Sequence, residues 1–255
     1  MFGELTILYR DEYFIAVDKP SGLLVHRSFL DKREVYFAMQ MLRDQIGQHV
    51  FPLHRLDRPT SGVLLFALSS EVARIASSLF SEHKISKRYL ALTRGFAPTS
   101  IEVDHPLKFK HDKIADKFAD KDKPAQEAQT TFNCLHQAVI NKPLGKFPTV
   151  RYSLVECFPK TGRKHQIRRH LNHINHPILN DANYGDNKQN HFFQREFEMN
   201  RLMLFAKDLT FVHPITERSV HIAASIGEQE LALFEKLGWP HQEDAYQLEK
   251  TDEPT

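Results

Sequence analysis

The chain predicts a mixed fold in which short strands alternate with amphipathic helices. Two observations carry that expectation. Apolar runs of strand length, of which Val63-Leu64-Leu65-Phe66-Ala67-Leu68 is the clearest, are bounded by turn-forming residues. Between them, apolar residues recur at helical spacing behind good caps, as at Val72, Ile75, Ala76, Leu79 and Phe80 after Ser69-Ser70.

In chain order, residues 5–9 and 13–17 read as a hairpin around Arg10-Asp11-Glu12, and Lys19-Pro20-Ser21-Gly22 turns the chain. Asp31, with Glu34 three residues on, reads as a capping box for a helix with stripe Val35, Ala38, Met39, Leu42 and Ile46. Gly47 can close it. A strand over 87–94 sets Leu90 and Leu92 on one face and Tyr89, Ala91 and Thr93 on the other. Residues 105–124, rich in lysine and poor in large apolar groups, read as an exposed loop. Strands are expected at 130–134 and 149–158. A helix over 163–174 carries the stripe Ile167, Leu171 and Ile174, leaving Lys164, Arg168 and Arg169 off it. Residues 186–191 read as a second polar loop, 202–205 and 209–212 as strands, and Leu231, Phe234 and Leu237 mark a last helix. The expected organisation is one catalytic domain over 1–240 and a disordered acidic tail over 241–255.

With 255 residues, 41% hydrophobic and 26% charged, the composition is that of a globular protein able to bury a substantial core. The apolar runs are far too short to cross a bilayer, and the N-terminus lacks a basic region followed by an apolar one. Two cysteines, Cys134 and Cys157, can build neither a disulfide framework nor a four-thiolate zinc site. A cytoplasmic protein is expected. The net charge of +2 is unevenly spread: the tail carries −4, leaving the body at +6, and 160–176 holds five Lys or Arg and no acid. A local basic surface suits selective phosphate contact, although a solvated helix face has the same composition.

The stretch richest in chemistry is His54-Arg55-Leu56-Asp57-Arg58-Pro59-Thr60-Ser61-Gly62. Pro59 disfavours helix at Arg58, so Asp57 is expected on a loop at the mouth of the strand that follows. An aspartate between two arginines should have a lowered pKa and be ionised, which suits a nucleophile or base better than a general acid. A structural ion pair capping the strand accounts for the same residues. Tyr89, after Lys87-Arg88, could stack on a base or sit in the core. Thr161-Gly162-Arg163-Lys164-His165-Gln166-Ile167-Arg168-Arg169-His170 reads as a helix start with an anion-binding character, and Arg168 is a candidate two-pronged partner for Asp57. His165, His170, His173 and His176 lie close in sequence, but no Asp or Glu among them completes a metalloprotease-type site, so no metal is expected.

These motifs together are recognisable. His54-Arg55-Leu56-Asp57 with Thr60-Ser61-Gly62, Lys87-Arg88-Tyr89, and Thr161 through Arg168 resemble, in order, the signatures of the RluA-type pseudouridine synthases. Lys19-Pro20-Ser21-Gly22, His176-Pro177-Ile178 and Asp181-Ala182-Asn183-Tyr184-Gly185 resemble flanking motifs of the same family. The resemblance implies an α+β fold with a largely antiparallel central sheet and a central catalytic cleft. It implies isomerisation of uridine in RNA with no metal or cofactor. By motif, Asp57 is the catalytic aspartate, Arg168 its partner, Tyr89 the ring that stacks on the target base, and Arg55 the residue that fills the gap left by a flipped nucleotide. Further RNA contacts are expected from His54, Arg58, Arg163, Lys164, His165 and Arg169.

The stretches 42–51 and 112–119 are similar to those of tRNA-acting members, which implies tRNA as partner and position 65 of the T-stem as target. A monomer is the simpler expectation. A ribosomal RNA substrate and a non-catalytic RNA-binding protein of the same fold are the alternatives. Two residues depart from the family pattern: Phe205 stands where His is usual, and Asn180 where Gly is usual. Asn tolerates left-handed geometry, so the turn at 180 is expected to survive.

Overall fold

A computed structural model describes residues 2–27, 34–108 and 124–247. Its centre is a ten-stranded mixed sheet. The chain opens with β1 (Thr6–Arg10) and β2 (Phe14–Lys19), then α1 (Ala38–Ile46), the short β3 (Phe51–Pro52) and β4 (Ser61–Ala67). Next come α2 (Ser70–Ser81), β5 (Ser86–Arg94), β6 (Ser100–Asp104), β7 (Gln129–Ile140) and β8 (Val150–Pro159). The last third adds α3 (Gln166–His173), α4 (Asn187–Phe197), β9 (Leu204–Val212), β10 (Ser219–Ala223) and α5 (Glu228–Lys236).

The strands run in the order β1-β2-β4-β9-β5-β8-β7-β6, with β3 paired to β4 and β10 to β9. Among the described residues all pairing of these strands is antiparallel except between β4 and β9, which meet in parallel at Ser61↔Phe205 and Gly62↔Ala206. This two-residue seam joins the halves of the sheet. It requires a glycine: Gly62 has φ +110, and a Cβ there would lie 2.1 Å from the Ala206 carbonyl oxygen.

The core follows the sequence pattern where that pattern is strong. β4 is buried along its whole length, as its unbroken apolar run requires. Ser69 caps α2 by accepting from Val72 N at 3.1 Å, and Val72, Ala76 and Leu79 turn inward. Gly47 ends α1 in left-handed geometry at φ 66. Asn180 likewise adopts φ 60, and its side-chain amide donates to the carbonyls of Met199 and Arg201.

Several expectations need correcting. The polar loop expected at 186–191 is the start of α4: Asp186 accepts from Lys188 N and Gln189 N, and Phe192 and Phe193 are buried beyond it. The helix expected from 163 begins at Gln166, because His165 takes left-handed geometry at φ 57 and 161–165 forms a turn. Arg168, expected off the buried stripe, is 4% exposed. The two strands expected over 202–212 are the single β9, and β3, β6 and β10 add to the strands expected.

The tail expected to be disordered from 241 packs onto the body through 247. Glu243–Tyr246 forms a 3-10 turn, Tyr246 is buried, and Glu243 accepts from Lys207 and from Ile226 N. The helix expected behind Asp31 begins only at Ala38, after Phe37, and Val35, expected in its apolar stripe, is 73% exposed. Asp31 itself, the 112–119 stretch and the final eight residues lie outside the described residues.

Candidate active site

The loop before β4 is fixed from below. Thr60 N donates to the Asp57 carbonyl, closing a turn. The Lys19-Pro20-Ser21-Gly22 turn grips the same loop: Ser21 Oγ donates to Pro59 O, Gly22 N to Arg58 O, and Lys19 Nζ to Arg58 O at 3.1 Å. Lys19 is fully buried and also donates to the carbonyls of Pro20 and Leu23. Burial pulls its pKa down to about 7, against the attraction of Asp57 and Asp18.

Asp57 opens onto a cavity of about 530 Å³, a size suited to a nucleoside-sized ligand. Tyr89 on β5, His54, Arg55, Phe80 at the end of α2, Arg163 and His165 share its wall with Arg168. The turn 161–165 is held by Gln166, whose Oε1 accepts from Thr161 Oγ1 at 2.6 Å and Arg163 N at 3.0 Å. Gln166 Nε2 in turn donates to Gln129 O and Thr130 Oγ1, tying the turn to β7.

Arg168 Nη1 donates to Asp57 Oδ2 at 2.9 Å. Its other edge forms a two-pronged pair with Asp181, Nε to Oδ2 at 2.7 Å and Nη2 to Oδ1 at 2.8 Å. Burial disfavours the guanidinium's charge, but the bonds to Asp181 and Asp57 outweigh it and raise its pKa. Burial would likewise raise Asp181, yet Arg168 and the amides of Asn183 and Tyr184 hold its carboxyl below the usual range. Asp57 keeps 26% of its side chain exposed toward the cavity, while Asp181 has none. Burial, with Asp57 and Cys157 nearby, pushes the Tyr89 hydroxyl pKa upward.

The other expected contacts divide. Arg55 is exposed at the cavity mouth, and Lys164 is exposed on the 161–165 turn. His54 is not a cation: its Nε2 accepts from Leu65 N at 3.0 Å, its ring stacks on Phe80, and burial lowers its pKa to about 3. Arg58 turns away from the cavity to Glu34 at 2.6 Å and to Gly22 O. Arg163 Nε donates to Glu127 O, and Arg169 Nη2 to Lys108 O. Asp181, Lys19 and Tyr184 belong to the site's framework, though sequence reasoning gives none of them a role of its own. The acid inside Asp181-Ala182-Asn183-Tyr184-Gly185 is the available signal for Asp181. Phe205 lies on β9 under the Arg201 guanidinium, 4.6 Å from ring centre to Cζ, and Arg201 donates to Ser61 Oγ.

Comparison with known proteins gives the family. The RNA pseudouridylate synthase family model matches residues 13–173, more than half of the chain. The chain belongs to the RNA pseudouridylate synthase family. It is 56% identical over 236 residues to the tRNA pseudouridine synthase C of Vibrio parahaemolyticus, covering 92% of this chain and 96% of that protein. The Haemophilus ducreyi protein of the same name is 55% identical, with 92% and 97% covered. Among solved structures, human RNA pseudouridylate synthase domain containing 1 shares 25% identity with a TM-score of 0.66, covering 87% of this chain and 83% of the human one. Human RNA pseudouridylate synthase domain containing 4 is 24% identical at a TM-score of 0.67, over 91% and 93%, a likeness of fold. No described helix is long and apolar enough to cross a membrane.

Proposed function

We propose that this protein converts a uridine of tRNA to pseudouridine, with Asp57 as the group that acts on the ribose. The observation that carries the reading is the Arg168 bond to Asp57 Oδ2 from a buried guanidinium already fixed by Asp181. That arrangement holds one carboxylate oxygen of a residue that lines a cavity of nucleoside size. The likeness to proteins named tRNA pseudouridine synthase C supports tRNA as the substrate class, and the T-stem uridine at position 65 is the proposed target.

The reaction breaks the N1–C1′ bond, rotates the uracil, joins C5 to C1′, loses the C5 proton and gains one at N1. Asp57 begins it either by attacking C1′ or by taking the 2′ proton. Reaching that bond in a helical stem requires extruding the nucleotide. Arg55, exposed at the mouth, is proposed to occupy the vacated space. Tyr89 is proposed to stack on the base. Its raised pKa keeps the hydroxyl protonated, which fits stacking better than removal of the C5 proton. The basic wall comes from Arg163 and Lys164, which are proposed to meet phosphates, as is Arg169.

The test is Asp57→Asn and Asp57→Ala in a tritium-release assay on 5-tritiated tRNA, alongside tRNA binding. Both variants are expected to release no tritium while tRNA binding persists. Tritium release by either would sink the role of Asp57, and wild-type protein that binds tRNA without release would make this an RNA-binding protein. Carbodiimide labelling and primer extension on tRNA from a strain lacking the protein locates the target. A stop at position 65 that survives the deletion would overturn the assigned position.

A further inference from the structure

Asp57 has two carboxylate oxygens, and Arg168 takes one of them. Oδ2 receives the Arg168 bond, while Oδ1 faces His165 Nε2 at 3.8 Å. On the far side of the same ring, Nδ1 lies 3.0 Å from the Tyr184 hydroxyl. The two rings meet edge-on, with centroids 5.7 Å apart at 77°. Tyr184 is itself placed by the acid that places Arg168: its backbone N–H donates to Asp181 Oδ1, and the Arg168 guanidinium lies 5.3 Å over its ring. Asp181 therefore organises both approaches to Asp57. His165 reaches its position through left-handed backbone geometry, φ 57, which a residue bearing a Cβ adopts only at a cost.

The tautomer follows from electrostatics. If Tyr184 donates to Nδ1, the imidazole proton sits on Nε2 and points at the carboxylate. The opposite tautomer would set a nitrogen lone pair against Oδ1. Resting on the function proposed above, we infer that His165, oriented by Tyr184, is a positioning residue that donates from Nε2 to Asp57 Oδ1 when RNA closes the cavity, presenting the carboxylate to the ribose. Catalytic hydrogen bonds are commonly long without substrate and tighten in the complex. The groups facing the imidazole are Asp57 from the loop before β4, Lys164 beside it, Arg168 from α3, and Asp181 and Tyr184 from the turn after it. Burial lowers the His165 pKa, assisted by Arg168 and Lys164 and opposed by Asp57 and Asp181, so the ring is neutral at neutral pH. At acid pH the imidazolium would bind Oδ1 as a full ion pair and quench the carboxylate.

Single-turnover rates and tRNA affinity for His165→Leu, His165→Gln and Tyr184→Phe, each across pH, test the inference. His165→Leu is expected to slow the step about 10- to 100-fold, the worth of a hydrogen bond to a charged group, with tRNA affinity unchanged. His165→Gln, which keeps an N–H donor but cannot titrate, should recover most of the rate and shift the acid decline of the wild type to lower pH, where only the carboxylate remains to titrate. Tyr184→Phe should fall between them. A wild-type rate in His165→Leu, or lost affinity at an unchanged rate, would overturn the inference, the latter making His165 an RNA contact. An acid decline at the wild-type pH in His165→Gln would also overturn it. Asp57→Ala run in parallel separates the two readings: if it stays active, the proposed function fails, whereas an inactive Asp57→Ala beside an unaffected His165 series removes only this inference. Should His165→Leu fail to fold, His165→Gln and Tyr184→Phe still decide the case.

Discussion

Two arginines in this protein are equally buried, at 4% exposure, and each binds two carboxylates, yet they do different work. Arg88 donates to Asp208 at 2.6 Å, to Glu156 at 2.7 Å and to the Tyr246 carbonyl at 2.6 Å. Its acids are 2% and 14% exposed, and His221 meets the remaining oxygen of Asp208. That network fastens β5 to β8, β9 and the Glu243–Tyr246 turn. Arg168 has one closed acid, Asp181, and one open acid, Asp57, with 26% of its side chain facing the cavity. A buried cation needs partners that compensate its charge, because removing one leaves a buried charge uncompensated. Around Arg168 the enclosure is left open at one carboxylate, the one that lines the cavity and is proposed to meet the substrate.

The largest test of this contrast removes each cation. Arg168→Met leaves Asp181 buried without its partner, and Arg88→Met does the same to Asp208. Each is expected to lose about 3–5 kcal/mol of stability by urea unfolding. Only Arg168→Met should also abolish single-turnover activity in the fraction that remains folded. If Arg88→Met lost activity per folded molecule as well, the division between a fastening arginine and a positioning one would break.

Lys19 is a third buried cation, and it differs from both by resting on carbonyls. Its pKa, about 7 when folded, lies below the ordinary value of about 10. Between those values the unfolded chain binds more protons than the folded one, so this residue makes stability rise with pH from about 7 to about 10 and adds no slope below 7. Lys19→Met should lose that rise, so that the difference between wild-type and variant stability grows with pH over this range. Burial lowers Lys87 in the same direction, so the wild-type slope is reduced rather than abolished. A variant with the full wild-type slope would mean that Lys19 is not desolvated as its contacts indicate.

Legibility in the sequence divides along the same physical line. Hydrophobic periodicity exposes the first hairpin, α2 with its Ser69 cap, β4 and β5, since each buries an apolar face. It misses β6 and β10, five-residue strands whose alternation is too short to stand out, and it takes the polar start of α4 for a loop. It does not show that Arg168 is buried, because an ion held by Asp181 obeys charge pairing rather than apolar spacing. Asp57, Arg168 and Tyr89 are legible as a set only through motif resemblance. Asp181, Lys19 and Tyr184 act through contacts that the fold alone assembles, and composition carries no trace of such pairings. His54 reads as a possible cation in the sequence because its acceptor bond from Leu65 depends on the sheet edge beside it.

The smallest effect belongs to an arginine of a third kind. Arg58 follows Asp57 directly, but it is 44% exposed and pairs with Glu34, itself 37% exposed. Exposed pairs contribute little, so Arg58→Gln should cost less than about 1 kcal/mol. Its guanidinium already meets Glu34 and the Gly22 carbonyl and points away from the cavity. The slope of log tRNA affinity against log salt should therefore be unchanged in Arg58→Gln. Lys164→Gln, altering an exposed cation on the turn that walls the cavity, should lower that slope by about one. Equal losses of slope in the two variants would place Arg58 on the RNA after all, and would show that proximity to Asp57 in sequence outweighs the direction in which the side chain is held.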